Sequence, residues 1–165
     1  MADKLIEANW VGRKIFWRVY FASLLLISVN MVQWPLAVFV GGYGLWDGFK
    51  DAFEYFSVGG YLFATGFRLI PYGLLGLAVR FSNGASLAKA FMAWFALLTI
   101  AGTHAWGYWV AQHAYYTDAH VSSTTAISFI FIPFYAAYYG AIAGVIGLLL
   151  GFIYMKFIGS KDNST

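Results

Sequence analysis

Long apolar runs separated by short polar connections dominate the pattern along the chain. A helix needs about 20 apolar residues to cross a hydrocarbon core of about 30 Å. Four segments reach this length and predict membrane spans at about residues 19–40, 57–79, 90–110 and 125–157. The first is interrupted by Asn30, Gln33 and Pro35, and the second contains Arg68 and Pro71. The pattern therefore predicts an all-α polytopic membrane protein, a bundle of four transmembrane helices in a single membrane domain of residues 1–165.

Basic residues in the connections predict the orientation of these spans. The connections on one side of the predicted bundle carry Lys4, Arg13, Lys14, Arg18, Arg80, Lys89, Lys156 and Lys161, whereas the connections on the other side carry Lys50 alone. Because Lys and Arg accumulate in cytoplasmic loops, both termini are predicted to be cytoplasmic, as in a bacterial inner membrane. The first apolar run exceeds the 7–15 residues of a signal-peptide core, so it is predicted to remain as an anchor.

The first outer connection has an amphipathic pattern of its own. Its apolar positions recur at intervals of three and four residues, and its charged positions fall on the other side of a helix: Trp46, Phe49, Phe53 and Phe56 against Asp47, Lys50, Asp51 and Glu54. This spacing predicts a short helix that lies at the membrane surface before the second span.

Composition excludes several classes of protein. Apolar residues make up 61% of the chain and charged residues 10%, against about 25% charged residues in soluble domains. The net charge of +3 comes from residues at the span ends, so it indicates topology and not nucleic-acid binding. The absence of cysteine excludes a thiolate nucleophile, disulfide exchange and thiolate-bound metal.

A glycine stripe marks the fourth predicted span. Gly140, Gly144, Gly147 and Gly151 follow one another at spacings of four, three and four residues, which places them on one face of a helix. Such a face lets a second helix approach closely, with dispersion as the attractive force. The stripe predicts either packing within the bundle or an interface between subunits.

Arg68 lies near the middle of the second predicted span, where a charged side chain costs at least about 2.5–3.5 kcal/mol. No acidic residue lies inside any predicted span. Asn30 is at a similar depth, Gln33 is one turn farther out, and tyrosines such as Tyr138 offer hydroxyl groups. One interpretation is a positive site facing a polar cavity, for an anion, a lipid headgroup or an acidic partner group. The other is structural satisfaction by Asn30, tyrosines and carbonyl groups freed by Pro71.

The histidines form no recognisable metal pattern. His104 and His113 are nine residues apart and lie on opposite faces of a continuous helix, while His113, Asp118 and His120 fit no standard ligand spacing. We therefore predict neither a metal nor another cofactor. Ser122 or Ser123 is predicted to cap the first turn of the fourth span, because serine is a preferred residue at a helix entry. Neither serine is predicted to be a nucleophile, because no nucleophile motif surrounds them.

These features favour a non-enzymatic inner-membrane subunit, such as a scaffold, sensor or immunity-type protein, acting through helix–helix contacts in a homo-oligomer or with a partner subunit. Its architecture is similar to that of small bacterial inner-membrane proteins that accompany a cytoplasmic effector in anti-phage defence or toxin–immunity pairs. The alternative is a small oligomeric channel or transporter, with Arg68 lining a path for anions or lipid headgroups. An enzyme is not predicted, because the spans contain no paired carboxylates and no nucleophile with a base. We expect the protein to contact the lipid bilayer and either further copies of itself or a partner subunit, and not to bind nucleic acid.

Overall fold

The computed structural model describes the backbone of residues 2–81, 86–117 and 124–162, and the side chains of residues 14–81, 86–117 and 127–157. Every regular element in these ranges is an α-helix, which confirms the all-α prediction. The helices are α1 (Ala2–Leu26), α2 (Val29–Phe39), α3 (Leu45–Phe53), α4 (Val58–Phe81), α5 (Leu87–Thr117) and α6 (Thr124–Asp162).

Three described helices are long and apolar enough to cross a membrane: α4, α5 and the Ile127–Phe157 part of α6. They overlap the second, third and fourth predicted spans, and they indicate a membrane protein. The first predicted span has a different form, because the Lys14–Leu26 part of α1 and all of α2 meet at a bend of 71°. The described residues thus provide three spans, or four if the bent pair is counted as one.

The glycine stripe of α6 packs against α5 of the same chain. A Cβ atom added at Gly147 would lie 2.6 Å from the backbone oxygen of Phe91, and one added at Gly151 would overlap the backbone of Ala88. Gly140 abuts the side chain of Ile100 in the same way. Because two backbones approach most closely where one of them lacks side chains, these glycines make α5 and α6 the most extensively packed pair of described helices.

The second half of α1 packs into a core shared with α4, α5 and α6. Phe16 and Tyr20 of α1 are buried there, and Phe16 meets Trp94 of α5 edge to face at 5.5 Å between ring centroids. The other members are Leu24, Tyr72, Leu75, Ala93, Ala96, Leu97, Ile100 and Ala136. This core combines aromatic rings, which bury large apolar areas, with small alanine residues.

α2 and α3 form a helical hairpin beyond the bend. Gly42 in the connection has φ 73°, a left-handed conformation that glycine adopts without steric cost. The Trp34 indole N–H donates to the carbonyl of Leu45 at 2.9 Å. Gly48 and Ala52 are buried, and a Cβ atom at Gly48 would meet Val38 of α2. The short helix predicted in the first outer connection is therefore present as α3, with its small residues turned to α2.

We predict that two alanine substitutions in the glycine stripe have opposite effects. Gly147→Ala places a methyl group against the Phe91 backbone, which cannot move aside as a flexible side chain can, so a loss of about 1–3 kcal/mol in unfolding free energy is expected. Gly144→Ala is the matched control. Its new Cβ would lie 3.5 Å from the Ala96 Cβ, an ordinary contact, and alanine favours the helix by about 0.5–1 kcal/mol over glycine.

The measurement is thermal unfolding of both variants in the same detergent. We expect Gly147→Ala to melt below the unsubstituted protein and Gly144→Ala at or above it. Equal melting temperatures for the two variants would contradict the described packing of α6 on α5.

Candidate functional site

The bend between α1 and α2 is a break in backbone hydrogen bonding at Ile27 and Ser28. The Ser28 hydroxyl oxygen accepts a hydrogen bond from the Met31 N–H at 3.3 Å and caps the first turn of α2. The Ser28 N–H donates to the carbonyl of Leu26 at 3.0 Å. The carbonyl groups of Leu24 and Ile27 thereby lose the N–H donors that a continuous helix would supply.

Arg68 of α4 replaces these lost donors. Its Nη1 donates to the carbonyl oxygens of Leu24, at 3.1 Å, and of Ile27, while Nη2 donates to the Thr65 hydroxyl. The guanidinium carbon lies 5.4 Å from the centroid of the Tyr61 ring. The cation is thus held at the carboxyl end of α1, where the helix dipole is negative, and only 1% of its surface is exposed.

α5 presents buried polar side chains to the other side of the bend. His104, Tyr108 and Gln112 are spaced by four residues, so they lie on one face of the helix, and all three are buried. The Gln112 amide donates to the carbonyl of Val29, in the first turn of α2, at 3.1 Å. Polar groups from two helices therefore hydrogen-bond the backbone on both sides of the break.

These side chains form a buried polar cluster, defined as Arg68, Tyr72, His104, Tyr108 and Gln112. The ring of His104 lies 5.7 Å from that of Tyr72 and 5.8 Å from that of Tyr108, centroid to centroid. Its Nδ1 is 2.8 Å from the carbonyl oxygen of Ile100, which can only accept, so Nδ1 carries the proton and Nε2 is left as an acceptor. Among the described residues, the Tyr72 hydroxyl, His104 Nε2 and the Gln112 side-chain oxygen are buried without a hydrogen-bond partner.

The expected grouping of Asn30, Gln33 and Tyr138 around Arg68 is not observed. Asn30 donates instead to the carbonyl of Ala52, in the last turn of α3, at 2.6 Å. Gln33 donates to the Tyr116 hydroxyl at 3.2 Å, and that hydroxyl donates to a carboxylate oxygen of Asp51. Asn30 and Gln33 therefore fasten the α2–α3 hairpin. The carbonyl groups that Arg68 binds are freed by the break after α1 and not by Pro71.

Four members of the cluster, Tyr72, His104, Tyr108 and Gln112, were missed because sequence patterns did not connect them with Arg68. Gln112 lies beyond the predicted third span of residues 90–110, but α5 continues to Thr117. His104 was considered only as a metal ligand. The sequence signal for this cluster was the recurrence of polar residues at 104, 108 and 112 along an otherwise apolar helix. Residues on one face of a helix recur about every 3.6 positions, so this spacing places the three on one face.

α6 carries a second polar feature, on the side away from the glycine stripe. Tyr135, Tyr138 and Tyr139, which we call the tyrosine face, are 56%, 62% and 49% exposed. The Tyr135 and Tyr139 rings stack at 6.4 Å, and Tyr138 meets Tyr139 edge to face at 5.3 Å. The three rings therefore form one surface outside the helix bundle.

The tyrosine face lies at mid-depth in the apolar helices. On its N-terminal side Ile132 packs against Gly107, and on its C-terminal side Gly140 packs against Ile100, so it is level with the centre of α5. The ring of Phe134 also meets that of Phe67, the neighbour of Arg68, at 6.5 Å. Tyrosines usually occupy the membrane–water interface, so three exposed hydroxyl groups at this depth are unusual.

The described residues contain no group of three or more His, Asp or Glu residues suited to a metal ion. His113 is close to the hydroxyl group of Thr117, at 3.3 Å. The predicted roles of Asp118, His120, Ser122 and Ser123 lie outside the described residues.

Comparison of the chain with protein-family models, curated proteins and solved structures yielded no match.

We predict that Arg68→Leu destabilises the fold by about 2–6 kcal/mol, because two buried carbonyl groups lose their donor and each loss costs about 1–3 kcal/mol. Arg80→Leu, at the exposed end of the same helix, is the matched control and should leave the melting temperature nearly unchanged. Spin labels attached at Phe21→Cys and Phe39→Cys, two exposed sites on either side of the bend, should show a broader distance distribution in Arg68→Leu. A narrow distribution like that of the unsubstituted protein would show that Arg68 does not hold the bend.

Proposed function

We propose that the protein is a non-enzymatic integral membrane subunit that works through helix–helix contacts, and that the tyrosine face is its contact surface. The observation that carries this proposal is the exposure of Tyr135, Tyr138 and Tyr139 at mid-depth. In hydrocarbon, a hydroxyl group has no water to bond, and leaving it unpaired costs about 1–3 kcal/mol on the scale of protein mutations. Contact with another membrane helix would give each hydroxyl a partner.

The reach of the tyrosine side chain supports this assignment. A residue near a membrane surface can extend its polar tip into the headgroups. From the centre of a hydrocarbon core about 30 Å thick, the nearest surface is about 15 Å away, farther than a tyrosine side chain extends. The aliphatic residues elsewhere on α6 are suited to lipid, so the hydroxyl groups are the part of this helix that calls for a protein partner.

The rest of the chain also favours a membrane subunit over a catalyst with a soluble domain. Its connections are short, and no segment outside the helices is long enough for an independent soluble core. The basic residues at the predicted inner ends of the spans favour cytoplasmic termini in a bacterial inner membrane. We therefore propose that the protein lies in a bacterial inner membrane with both termini in the cytoplasm.

The contacts of Arg68 do not favour the alternative function of an anion path. An anion would need free N–H groups facing an open passage, yet three of the five N–H groups of Arg68 donate to protein oxygens. The side chain is also enclosed. In this conformation Arg68 supports the backbone of the bend.

We predict that replacing all three tyrosines of the tyrosine face by phenylalanine weakens assembly without unfolding the chain. Each interhelical hydrogen bond in a membrane contributes about 0.6 kcal/mol, so the loss of three is expected to weaken association by about 2 kcal/mol, or roughly 30-fold. The measurement is sedimentation equilibrium or native mass spectrometry of gently extracted protein. Tyr55→Phe combined with Tyr115→Phe, both exposed tyrosines outside this face, is the control. Association unchanged in the triple variant would remove the tyrosine face as the contact surface.

A further inference from the structure

We infer that the partner on the tyrosine face is a second copy of this chain, related by a two-fold axis along the membrane normal. This inference rests on the proposed function, since it names the occupant of the same surface. Three properties of α6 lead to it: the depth of its hydroxyl groups, their chemistry, and the arrangement of the exposed residues that continue from them.

Depth restricts which partner can satisfy the hydroxyl groups. Two copies inserted with the same orientation and related by such an axis place every residue at the depth of its own equivalent. Tyr135, Tyr138 and Tyr139 are then matched in depth without any further requirement. An unrelated helix would need its own polar groups at this one level of an otherwise apolar span.

The chemistry of the face is complementary to itself. A phenol hydroxyl both donates and accepts hydrogen bonds, so a surface whose polar groups are all hydroxyls can pair with an identical surface. Within residues 127–157 the sequence of α6 contains one charged residue, Lys156, near the inner end. The tyrosine face itself carries no charge, so it does not require a partner with an opposite charge.

Exposed residues continue inward from the tyrosines with the spacing of a two-helix interface. Tyr135, Tyr138, Ile142, Val145, Leu149 and Phe152, which we call the α6 ridge, alternate at three and four residues, and all are exposed. This is the spacing at which two helices interlock along a left-handed seam. The ridge lies on the side of α6 away from Gly140 and Gly144, so a second copy can bind while α5 keeps its place on the glycine stripe.

Single cysteines test this geometry directly, because the chain contains none of its own. Val145→Cys places a thiol on the α6 ridge and leaves all three tyrosines in place. Tyr154→Cys, also exposed, lies about 180° away around the same helix, and Leu69→Cys lies on the exposed side of α4 near the depth of Arg68. Each variant is oxidised in its own membranes and examined for a product of twice the 18.3 kDa chain mass.

We expect a disulfide-linked dimer with Val145→Cys and none with Tyr154→Cys or Leu69→Cys, since a disulfide needs Cα atoms within about 7 Å. The dimer should also be lost when Val145→Cys is combined with the three Tyr→Phe substitutions. Equal cross-linking at all three sites, or none at Val145→Cys, would overturn the inference.

The native mass of the gently extracted protein separates failure of this inference from failure of the proposed function. A complex with a different polypeptide, lost in the triple Tyr→Phe variant, would overturn the second-copy inference and leave the proposed function in place. A monomer that the three substitutions do not change would overturn both. A homodimer that dissociates in the triple variant supports both.

Discussion

The hydrogen bonds from Arg68 to the carbonyl groups of Leu24 and Ile27 are the interaction on which the rest of the structure depends. In a bilayer, a backbone group that leaves its helix must find a partner within the protein, because no water is available. A 71° bend opens several such groups at once. Arg68 supplies donors at the place where they are missing, and its charge lies at the negative end of a helix dipole. These hydrogen bonds therefore offset both the cost of burying the cation and the cost of breaking the helix.

The bend determines which partners the polar residues of α2 and of the C-terminal end of α5 can reach. Once α2 leaves the direction of α1, Asn30 and Gln33 are directed to α3 and to Tyr116, and Gln112 reaches the first turn of α2. Each of these bonds joins segments that are distant in the chain. The α2–α3 hairpin is thus fastened by side-chain amides, whereas the rest of the bundle is held by aromatic rings and by the close approach of α5 and α6. Polar and apolar packing divide the molecule at the level of the bend.

The long helices α4, α5 and α6 were predictable from sequence because their formation follows one local rule. An apolar run long enough to cross a bilayer becomes a helix, which is why α4, α5 and α6 cover the expected segments. The position of the break was not predictable. Pro35 lies inside α2 and does not interrupt it, whereas the break occurs at Ser28, which caps α2 and carries no strong sequence signal. The partners of Arg68 were also inaccessible to sequence reasoning. They are backbone carbonyl groups, which every residue has, and only the three-dimensional path of the chain frees particular ones. Tyr138 was selected as a hydroxyl near Arg68, but its helix turns it outward.

The two sides of α6 show how one helix can satisfy two different requirements. Lipid is as apolar as a leucine side chain, so helices in a bilayer gain little from hydrophobic burial and associate through close packing or hydrogen bonds. On the side facing α5, Gly147 and Gly151 provide close packing, which depends on matching surfaces and so suits a permanent contact within one chain. On the opposite side, the tyrosine face provides hydrogen-bonding groups, which suit a contact formed after the bundle has folded. Because the two faces offer different forces, a change on the tyrosine face should alter the proposed association without disturbing the fold, whereas a change on the glycine stripe should alter the fold itself.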